Sequence, residues 1–230
     1  MKKYIDIVNE IHSSPYKLTI VSSGGGTNAI SALLEVPGAS NTILESHIPY
    51  SKESMNSFLN KEPDHYCSLD TCLNMAANAF KKSKQIDTSS KTKHLLGISI
   101  TANLATTYEK KGDHKFFIVV QAYDYTKYLE CYLDKGKRTR EEEEELITAC
   151  VISLLADSCG FEFTIPEIDE DIKINKVIAE KSWKKLFNNK VGFISNNQNN
   201  PELIFPGSFN PLHEGPVSYT HLTLPTKCSV

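Results

Sequence analysis

The chain has 230 residues, which is enough for one or two domains. Apolar residues make up 40% and charged residues 23%, a balance typical of a folded globular protein and too apolar for a disordered chain. The net charge of −3 argues against a large nucleic-acid-binding face. Six cysteines are too sparse for a disulfide scaffold and form no C-x-x-C pair, so we expect reduced, mostly buried thiols and no zinc site.

The first residues do not resemble a secretion signal, because Asp6, Asn9 and Glu10 interrupt the apolar core that such a signal needs. The apolar runs at residues 116–120 and 150–156 are too short to span a bilayer. We therefore expect a cytoplasmic protein that binds neither nucleic acid nor a membrane.

Helices and strands alternate along residues 1–160. Taken in chain order, the patterns predict a helix at 2–12, a strand at 17–22, a helix at 28–34, a strand at 42–48, a helix at 52–59, a helix after the N-cap Ser68, a polar loop at 84–93, strands at 95–101, 115–122 and 128–133, and a long helix at 140–158 that Gly160 ends. This order indicates an α/β fold.

The composition changes after Gly160. An acidic stretch at 167–171 precedes a basic amphipathic pattern at 173–190, which predicts a helix. A polar linker and a new strand at 203–205 follow. We expect one domain at residues 1–160, a linker with one helix at 161–201, and a separate segment from residue 202.

A run of three glycines, Gly24, Gly25 and Gly26, connects the first strand to the next helix. Glycine permits close backbone approach, and free N–H groups at a helix start can hold a phosphate, with Ser23 at the mouth of the site. The commoner role of such a run is a flexible turn with a helix cap. The spacing does not fit a Walker loop.

Residues 22–40, SSGGGTNAISALLEVPGAS, followed by Tyr50, resemble the CinA C-terminal family, which includes nicotinamide mononucleotide deamidases. The family pattern is approximately E-S-C-T-G-G, eleven residues ending in V-P-G, then a-S, and later Y-s-n-x-x-K. On this pattern Ser23 stands at the nucleophile, Ser40 at the second serine and Tyr50 at the tyrosine.

Later motifs occur in the family's order. Ser68 matches the serine of G-A-V-S, Thr101 the threonine of v-T-G-x-A-G-P, and Arg138 the arginine of G-d-R. The resemblance implies a three-layer α/β domain that binds a small-molecule nucleotide and forms homo-oligomers. It assigns catalysis to Ser23 and Tyr50, and nucleotide binding to Gly24, Gly25, Gly26, Ser40, Ser68, Thr101 and Arg138.

The chain departs from this pattern at the residues that would do the chemistry. Met55 replaces the family lysine, Ser22 the glutamate before the nucleophile, and residues 102–106 lack the family glycines. A serine needs an adjacent base to attack an amide, and methionine is not one. The residues therefore argue against deamidase chemistry, unless Lys52, three residues before Met55 on the same helical face, supplies the base.

Three further groups invite a functional interpretation. The five glutamates at 141–145 are explained by the dipole of the helix they begin. Lys135, Lys137, Arg138 and Arg140 either hold a phosphate or form a solvated turn. The histidines show no metal-ligand spacing, and lone histidines are usually structural or lie at the surface.

Residues 203–215, LIFPGSFNPLHEG, resemble the opening of the HxGH nucleotidyltransferase family, in which a strand leads into G-s-F-[DN]-P-x-H-x-G-H. That family holds nucleotide phosphates on this loop while a nucleoside monophosphate is transferred. The resemblance implies ATP or CTP with Mg²⁺ for an intact transferase domain, and no tightly bound cofactor. It assigns nucleotide contacts to Gly207, Ser208, Phe209, His213 and Gly215, with His213 also catalytic.

Pro216 stands in place of the second motif histidine. Residues 217–226, VSYTHLTLPT, resemble a translated sequencing adapter, so we expect residues 216–230 to be foreign to the fold. A nucleotidyltransferase domain needs several βα units of about 30 residues each. We therefore expect residues 202–215 to be an incomplete Rossmann-like segment.

Three functional hypotheses follow. The first is a fragment of a nucleotidyltransferase of pyridine-nucleotide metabolism, with a degenerate CinA-like domain. The second is an active amidohydrolase that uses Ser23, with Lys52 as its base. The third is a non-enzymatic module for oligomerisation or nucleotide binding.

Overall fold

The computed structural model describes residues 2–108, 111–162, 164–187 and 190–191. The helices are α1 (Ile5–Ser13), α2 (Thr27–Leu34), α3 (Lys52–Leu59), α4 (Leu69–Ile86), α5 (Arg140–Cys159) and α6 (Lys181–Phe187). The strands are β1 (Lys17–Ser23), β2 (Ile43–His47), β3 (Leu95–Asn103), β4 (His114–Gln121), β5 (Tyr125–Leu133) and β6 (Ile172–Ile178). Short 3-10 helices cover Lys2–Tyr4, Ala39–Asn41 and Thr92–His94.

The described strands form one mixed sheet in the order β2-β1-β3-β4-β5-β6. Strand β1 is parallel to both β2 and β3, whereas β3, β4, β5 and β6 pair antiparallel in succession. After β1 the chain forms β2 along one edge of β1 and later forms β3 along the opposite edge. Such a reversal opens a crevice at the carboxyl ends of β1 and β3, where ligands commonly bind in α/β sheets.

Helices cover both faces of the sheet and give three layers. Helices α1, α2 and α5 pack on one face, where Ile118 of β4 joins the largest apolar cluster. Helices α3 and α4 lie on the other face, and α4 covers Val119 of the same strand. Because alternate residues of β4 are buried against opposite layers, this strand reads as a continuous apolar run. The predicted α/β class and the three layers are confirmed.

Helix α5 is buried along most of its 20 residues. It begins with a capping box, in which the Thr139 hydroxyl accepts the backbone N–H of Glu142 and the Glu142 carboxylate accepts that of Thr139. It ends at Gly160, whose φ of 88° is the left-handed conformation that glycine adopts readily. Both predicted ends of this helix are correct to within one residue.

The sequence-based helix at residues 173–190 is wrong over its first half. Residues Ile172–Ile178 form strand β6, which pairs with β5 as the edge of the sheet, and a helix begins at Lys181. The compact unit reaches Lys190, so the segment expected to be a linker from residue 161 supplies part of this sheet. The predicted loop at 84–93 is also shorter, because α4 continues to Ile86. Residues 202–230 lie outside the described residues.

Candidate functional site

Ser23 is the last residue of β1 and pairs in register with Thr101 of β3. Both predicted site residues therefore lie near the carboxyl ends of these neighbouring strands. The Ser23 Oγ donates a hydrogen bond of 2.9 Å to the backbone carbonyl of Pro49, and the Thr101 Oγ1 donates one of 3.0 Å to that of Tyr66. A carbonyl oxygen does not take up the hydroxyl proton, so this contact does not activate Ser23 as a nucleophile.

The position of the family lysine belongs to the apolar core. Met55 is 1% exposed and packs with Val21 of β1 and Met75 of α4. A methionine at this place fills space between α3, α4 and the sheet. It does not extend a polar group towards Ser23.

Lys52 and Tyr50 are both exposed. Lys52 is the first residue of α3, and its ammonium lies 5.7 Å from the centre of the Tyr66 ring, a distance that permits a cation–π contact. The side chain of Tyr50 is 76% exposed. The catalytic roles that the sequence suggests for both residues stay predictions.

The glycine turn packs tightly against the end of β3. A Cβ atom at Gly24 would collide with the carbonyl oxygen of Ala102, and one at Gly25 would lie 2.6 Å from Leu104. Gly24 and Gly26 also have φ values of 78° and 87°, which residues with a side chain rarely adopt. Close packing and backbone conformation thus account for these glycines without a ligand.

The backbone N–H of Gly26, at the start of α2, already has an anionic partner. It donates a hydrogen bond of 2.6 Å to the Glu144 carboxylate of α5. Part of the site that the sequence assigns to a phosphate is therefore occupied by a side chain of the same chain. A phosphate at the Gly26 amide would have to displace this carboxylate, and the predicted contact stays a prediction.

The glutamates at the start of α5 also have specific partners beyond the helix dipole. Glu143 is fully buried and accepts the backbone N–H of Ala105 at 2.6 Å. Glu145 accepts the Tyr4 hydroxyl at 2.7 Å. Together with Glu144, these residues attach α5 to the N-terminal helix and to the loops after β1 and β3. The explanation of the run by the helix dipole alone is therefore incomplete.

A cavity of about 550 Å³ lies between the loop that follows β3 and the turn that joins β5 to α5. Lys135, Arg138, Arg140 and His114 line it, and none of the described lining residues is acidic. Its other lining residues are Ala105, Thr106, Thr107, Tyr108, Gly136 and Thr139. This arrangement favours an anionic ligand, because three cations share one concave surface.

All three cations also have structural partners, and the Lys135 ammonium donates a hydrogen bond of 3.1 Å to the Lys111 carbonyl. Arg138 forms a two-pronged ion pair with Glu170, and this contact lowers the pKa of the Glu170 carboxyl to about 2. Arg140 donates to the carbonyls of Gly24 and Ala105, at 3.0 and 3.3 Å, and so connects the cavity to the glycine turn. The predicted phosphate contact of Arg138 stays a prediction, and a ligand there would share its guanidinium with Glu170.

The sequence gives no functional signal for His114, yet the structure places it in this cavity. Its Nδ1 lies 2.9 Å from the Glu143 Oε1, in a pair that links the first residue of β4 to α5. The partners are 29 residues apart, so spacing along the chain does not reveal them.

The remaining predicted residues lie apart from the cavity or outside the described chain. Ser68 caps α4, because its Oγ accepts the Thr71 N–H, as the sequence predicts. Ser40 is exposed in a 3-10 helix. Gly207, Ser208, Phe209, His213 and Gly215 lie outside the described residues.

Within the described residues, no group of His, Cys, Asp and Glu side chains is arranged to hold a metal ion. No described helix is both long and apolar enough to cross a membrane. The five described cysteines form no disulfide with one another, and Cys72, Cys131 and Cys150 are buried. Burial raises the pKa of the Cys72 thiol to about 12, which suits a structural role.

Comparison with solved structures identifies the fold. A CinA superfamily protein from Klebsiella pneumoniae superposes with a TM-score of 0.54 at 11% identity, over 69% of this chain and 96% of that one. The competence damage-inducible protein A from Klebsiella pneumoniae subsp. pneumoniae gives 0.55 at 12% identity, over 67% and 94%. A competence or damage-inducible protein from Enterobacter asburiae gives 0.51 at 16%, over 68% and 94%.

Neither protein-family models nor curated protein sequences match the chain. At identities of 11 to 16%, the structural likeness establishes the arrangement of helices and strands and not the activity. The described part of the chain has a CinA-like α/β fold.

Proposed function

We propose that this domain binds a small anionic ligand, of the class of nucleotides and other phosphate esters, in the cavity lined by His114, Lys135, Arg138 and Arg140. The observation that carries the proposal is the charge of this surface. Three cations line one cavity, and none of its described lining residues is acidic. A volume of about 550 Å³ is in the range of small-molecule sites, roughly 300–1,000 Å³.

We further propose that the domain binds this ligand without hydrolysing it. The Ser23 hydroxyl donates its hydrogen bond to the Pro49 carbonyl. Met55 packs in an apolar cluster at the position where the family pattern has its lysine. General-base assistance typically contributes about 10²–10⁴-fold to a rate, so its loss leaves little turnover. The CinA-like fold would then serve for binding.

The sequence at residues 203–215 supports a nucleotide as the ligand. Its resemblance to HxGH nucleotidyltransferases suggests that the CinA-like domain accompanies a transferase of pyridine-nucleotide metabolism, which would use ATP or CTP with Mg²⁺. Pro216 replaces the second histidine, so we expect this chain itself to transfer no nucleoside monophosphate. Incubation with nicotinamide mononucleotide, ATP and Mg²⁺ should release no pyrophosphate, and release that is lost in His213→Ala would contradict this expectation.

Calorimetric titration with nicotinamide mononucleotide tests the binding proposal. We expect the wild type to bind and Lys135→Ala to weaken binding by about three- to tenfold, since a charge-assisted contact is lost. Lys91→Ala, which removes an exposed lysine that does not line the cavity, is the matched control and should leave the affinity unchanged. No binding by the wild type, or equal weakening by both substitutions, would contradict the proposal.

A further inference from the structure

His114 and Glu143 form a buried pair at the wall of the cation-lined cavity. The Glu143 side chain is fully buried, and His114 is 7% exposed. One carboxylate oxygen lies 2.9 Å from the His114 Nδ1, and the other accepts the Ala105 N–H at 2.6 Å. Three elements, β4, α5 and the loop after β3, thus fix the orientation of this imidazole.

This arrangement determines which ring nitrogen a ligand meets. A carboxylate accepts hydrogen bonds, so the neutral imidazole carries its proton on Nδ1 and donates it to Glu143. Nε2, on the other side of the ring, is then an acceptor. His114 lines the cavity, so this acceptor is the nitrogen available to a ligand there.

The charged groups around the imidazole come from two elements besides its own strand. Glu143 belongs to α5, and Lys135, Arg138 and Arg140 belong to the turn before α5 and to its first residue. These cations suit the anionic part of a ligand. An unprotonated Nε2 instead suits a hydrogen-bond donor, such as a hydroxyl group, on the same molecule.

We propose that His114, oriented by Glu143, selects phosphate esters that carry a hydroxyl group: the cations hold the phosphate, and the His114 Nε2 accepts a hydrogen bond from the hydroxyl. This inference rests on the proposed function, because it concerns the same cavity. It makes His114 a ligand-contacting residue and Glu143 a positioning residue. Methyl phosphate, whose dianion has no hydroxyl group, should use the cations without using His114.

Two probes separate the roles of these groups in calorimetric titrations of the full chain. Ribose 5-phosphate carries a phosphate and several hydroxyls, whereas the methyl phosphate dianion carries the phosphate and no hydroxyl. We expect His114→Ala to weaken ribose 5-phosphate binding about fivefold and to leave methyl phosphate binding unchanged, because only the sugar phosphate loses a hydrogen bond. Lys135→Ala should weaken the binding of both ligands.

Each other outcome has a definite meaning. Equal weakening of both ligands by His114→Ala would show that the imidazole contacts the phosphate, and would overturn the inference while the proposed function stands. No effect of His114→Ala would overturn it as well. No binding of either probe by the wild type would refute the proposed function, and the inference with it.

A measurement on the wild type covers the case in which His114→Ala does not fold. Long-range ¹H–¹⁵N correlation NMR distinguishes the two tautomers of a histidine ring. We expect the tautomer with its proton on Nδ1, which faces Glu143, and we expect the Nε2 signal to shift when ribose 5-phosphate is added. A proton on Nε2 in the free protein, or no shift with ligand, would overturn the inference.

Discussion

The Glu144 carboxylate accepts a hydrogen bond of 2.6 Å from the backbone N–H of Gly26, 118 residues earlier in the chain. The start of a helix favours a negative charge, because its first N–H groups have no partner within the helix. Here α5 supplies that charge to α2. The glycine turn, which resembles an anion site in the sequence, is thus satisfied from within the protein.

Removing this carboxylate should expose the start of α2 to external anions. We expect Glu144→Ala to lower the free energy of unfolding by about 1.5–3 kcal/mol, the usual contribution of a hydrogen bond to a charged group. Added inorganic phosphate should then raise the Tm of this variant more than that of the wild type. Thermal unfolding with and without phosphate measures both effects.

Glu141→Ala is the control for this test, because Glu141 is exposed in the same helical turn. It should change stability by less than about 0.5 kcal/mol and respond to phosphate as the wild type does. An identical phosphate response in all three proteins would count against a vacated anion site in Glu144→Ala.

Restoring the family lysine should damage the fold rather than restore activity. Met55 is almost fully buried among Val21, Leu59 and Met75, so the ammonium of Met55→Lys would lack a partner. We expect a loss of about 3–5 kcal/mol in urea unfolding and no release of ammonia from nicotinamide mononucleotide. Met55→Leu, which keeps the volume and polarity, should cost less than about 1.5 kcal/mol. Ammonia release by a stably folded Met55→Lys protein would show that position 55 reaches the crevice.

The glycine turn should tolerate no side chain at Gly24. Gly24 and Gly160 both have positive φ, 78° and 88°, but only Gly24 faces a backbone atom, the Ala102 carbonyl oxygen, at close range. Gly24→Ala should therefore lower the free energy of unfolding in urea by about 1–3 kcal/mol more than Gly160→Ala does. The Gly160 variant has the unfavourable φ but no steric clash. Equal losses would mean that the turn has room for a Cβ.

The ion pair between Arg138 and Glu170 should make stability depend on pH in acid. Arg138 lowers the pKa of Glu170 to about 2, below its unfolded value of about 4.3. The pair therefore contributes stability above about pH 4.3, and this contribution is lost as the pH falls towards 2. Glu170→Gln should lower the free energy of unfolding at pH 7, and the difference from the wild type should shrink at pH 3.

Urea unfolding at both pH values measures this difference. Glu167→Gln removes an exposed carboxylate from the same segment and is the control. A Glu170→Gln deficit of the same size at pH 7 and pH 3 would contradict the assignment to this ion pair.

Most of the fold can be predicted from local patterns. The apolar run of β4, the Ser68 cap and the end of α5 at Gly160 are all read from neighbouring residues, and the structure confirms them. Strand β6 was predicted as a helix because it is an exposed edge strand. Its sequence, IKINKVI, carries two lysines and alternates only weakly between apolar and polar residues, so it lacks the apolar run of a buried strand.

The candidate site depends on contacts between distant residues, which a single sequence does not show. The Arg138–Glu170 pair, the Glu144–Gly26 contact and the His114–Glu143 pair each join separate elements. The family resemblance correctly predicts the fold. It did not predict that α5 would supply the carboxylate at the start of α2.

The central claim is that the cavity binds a nucleotide and that Ser23 does not hydrolyse it. One NMR experiment tests both binding and hydrolysis. The full chain is incubated with nicotinamide mononucleotide, and the signals of the ligand are followed. The account predicts saturation transfer from the protein to the intact nucleotide and no nicotinate mononucleotide after prolonged incubation. Formation of the deamidated product that stops in Ser23→Ala, or the absence of saturation transfer at millimolar ligand, would contradict it.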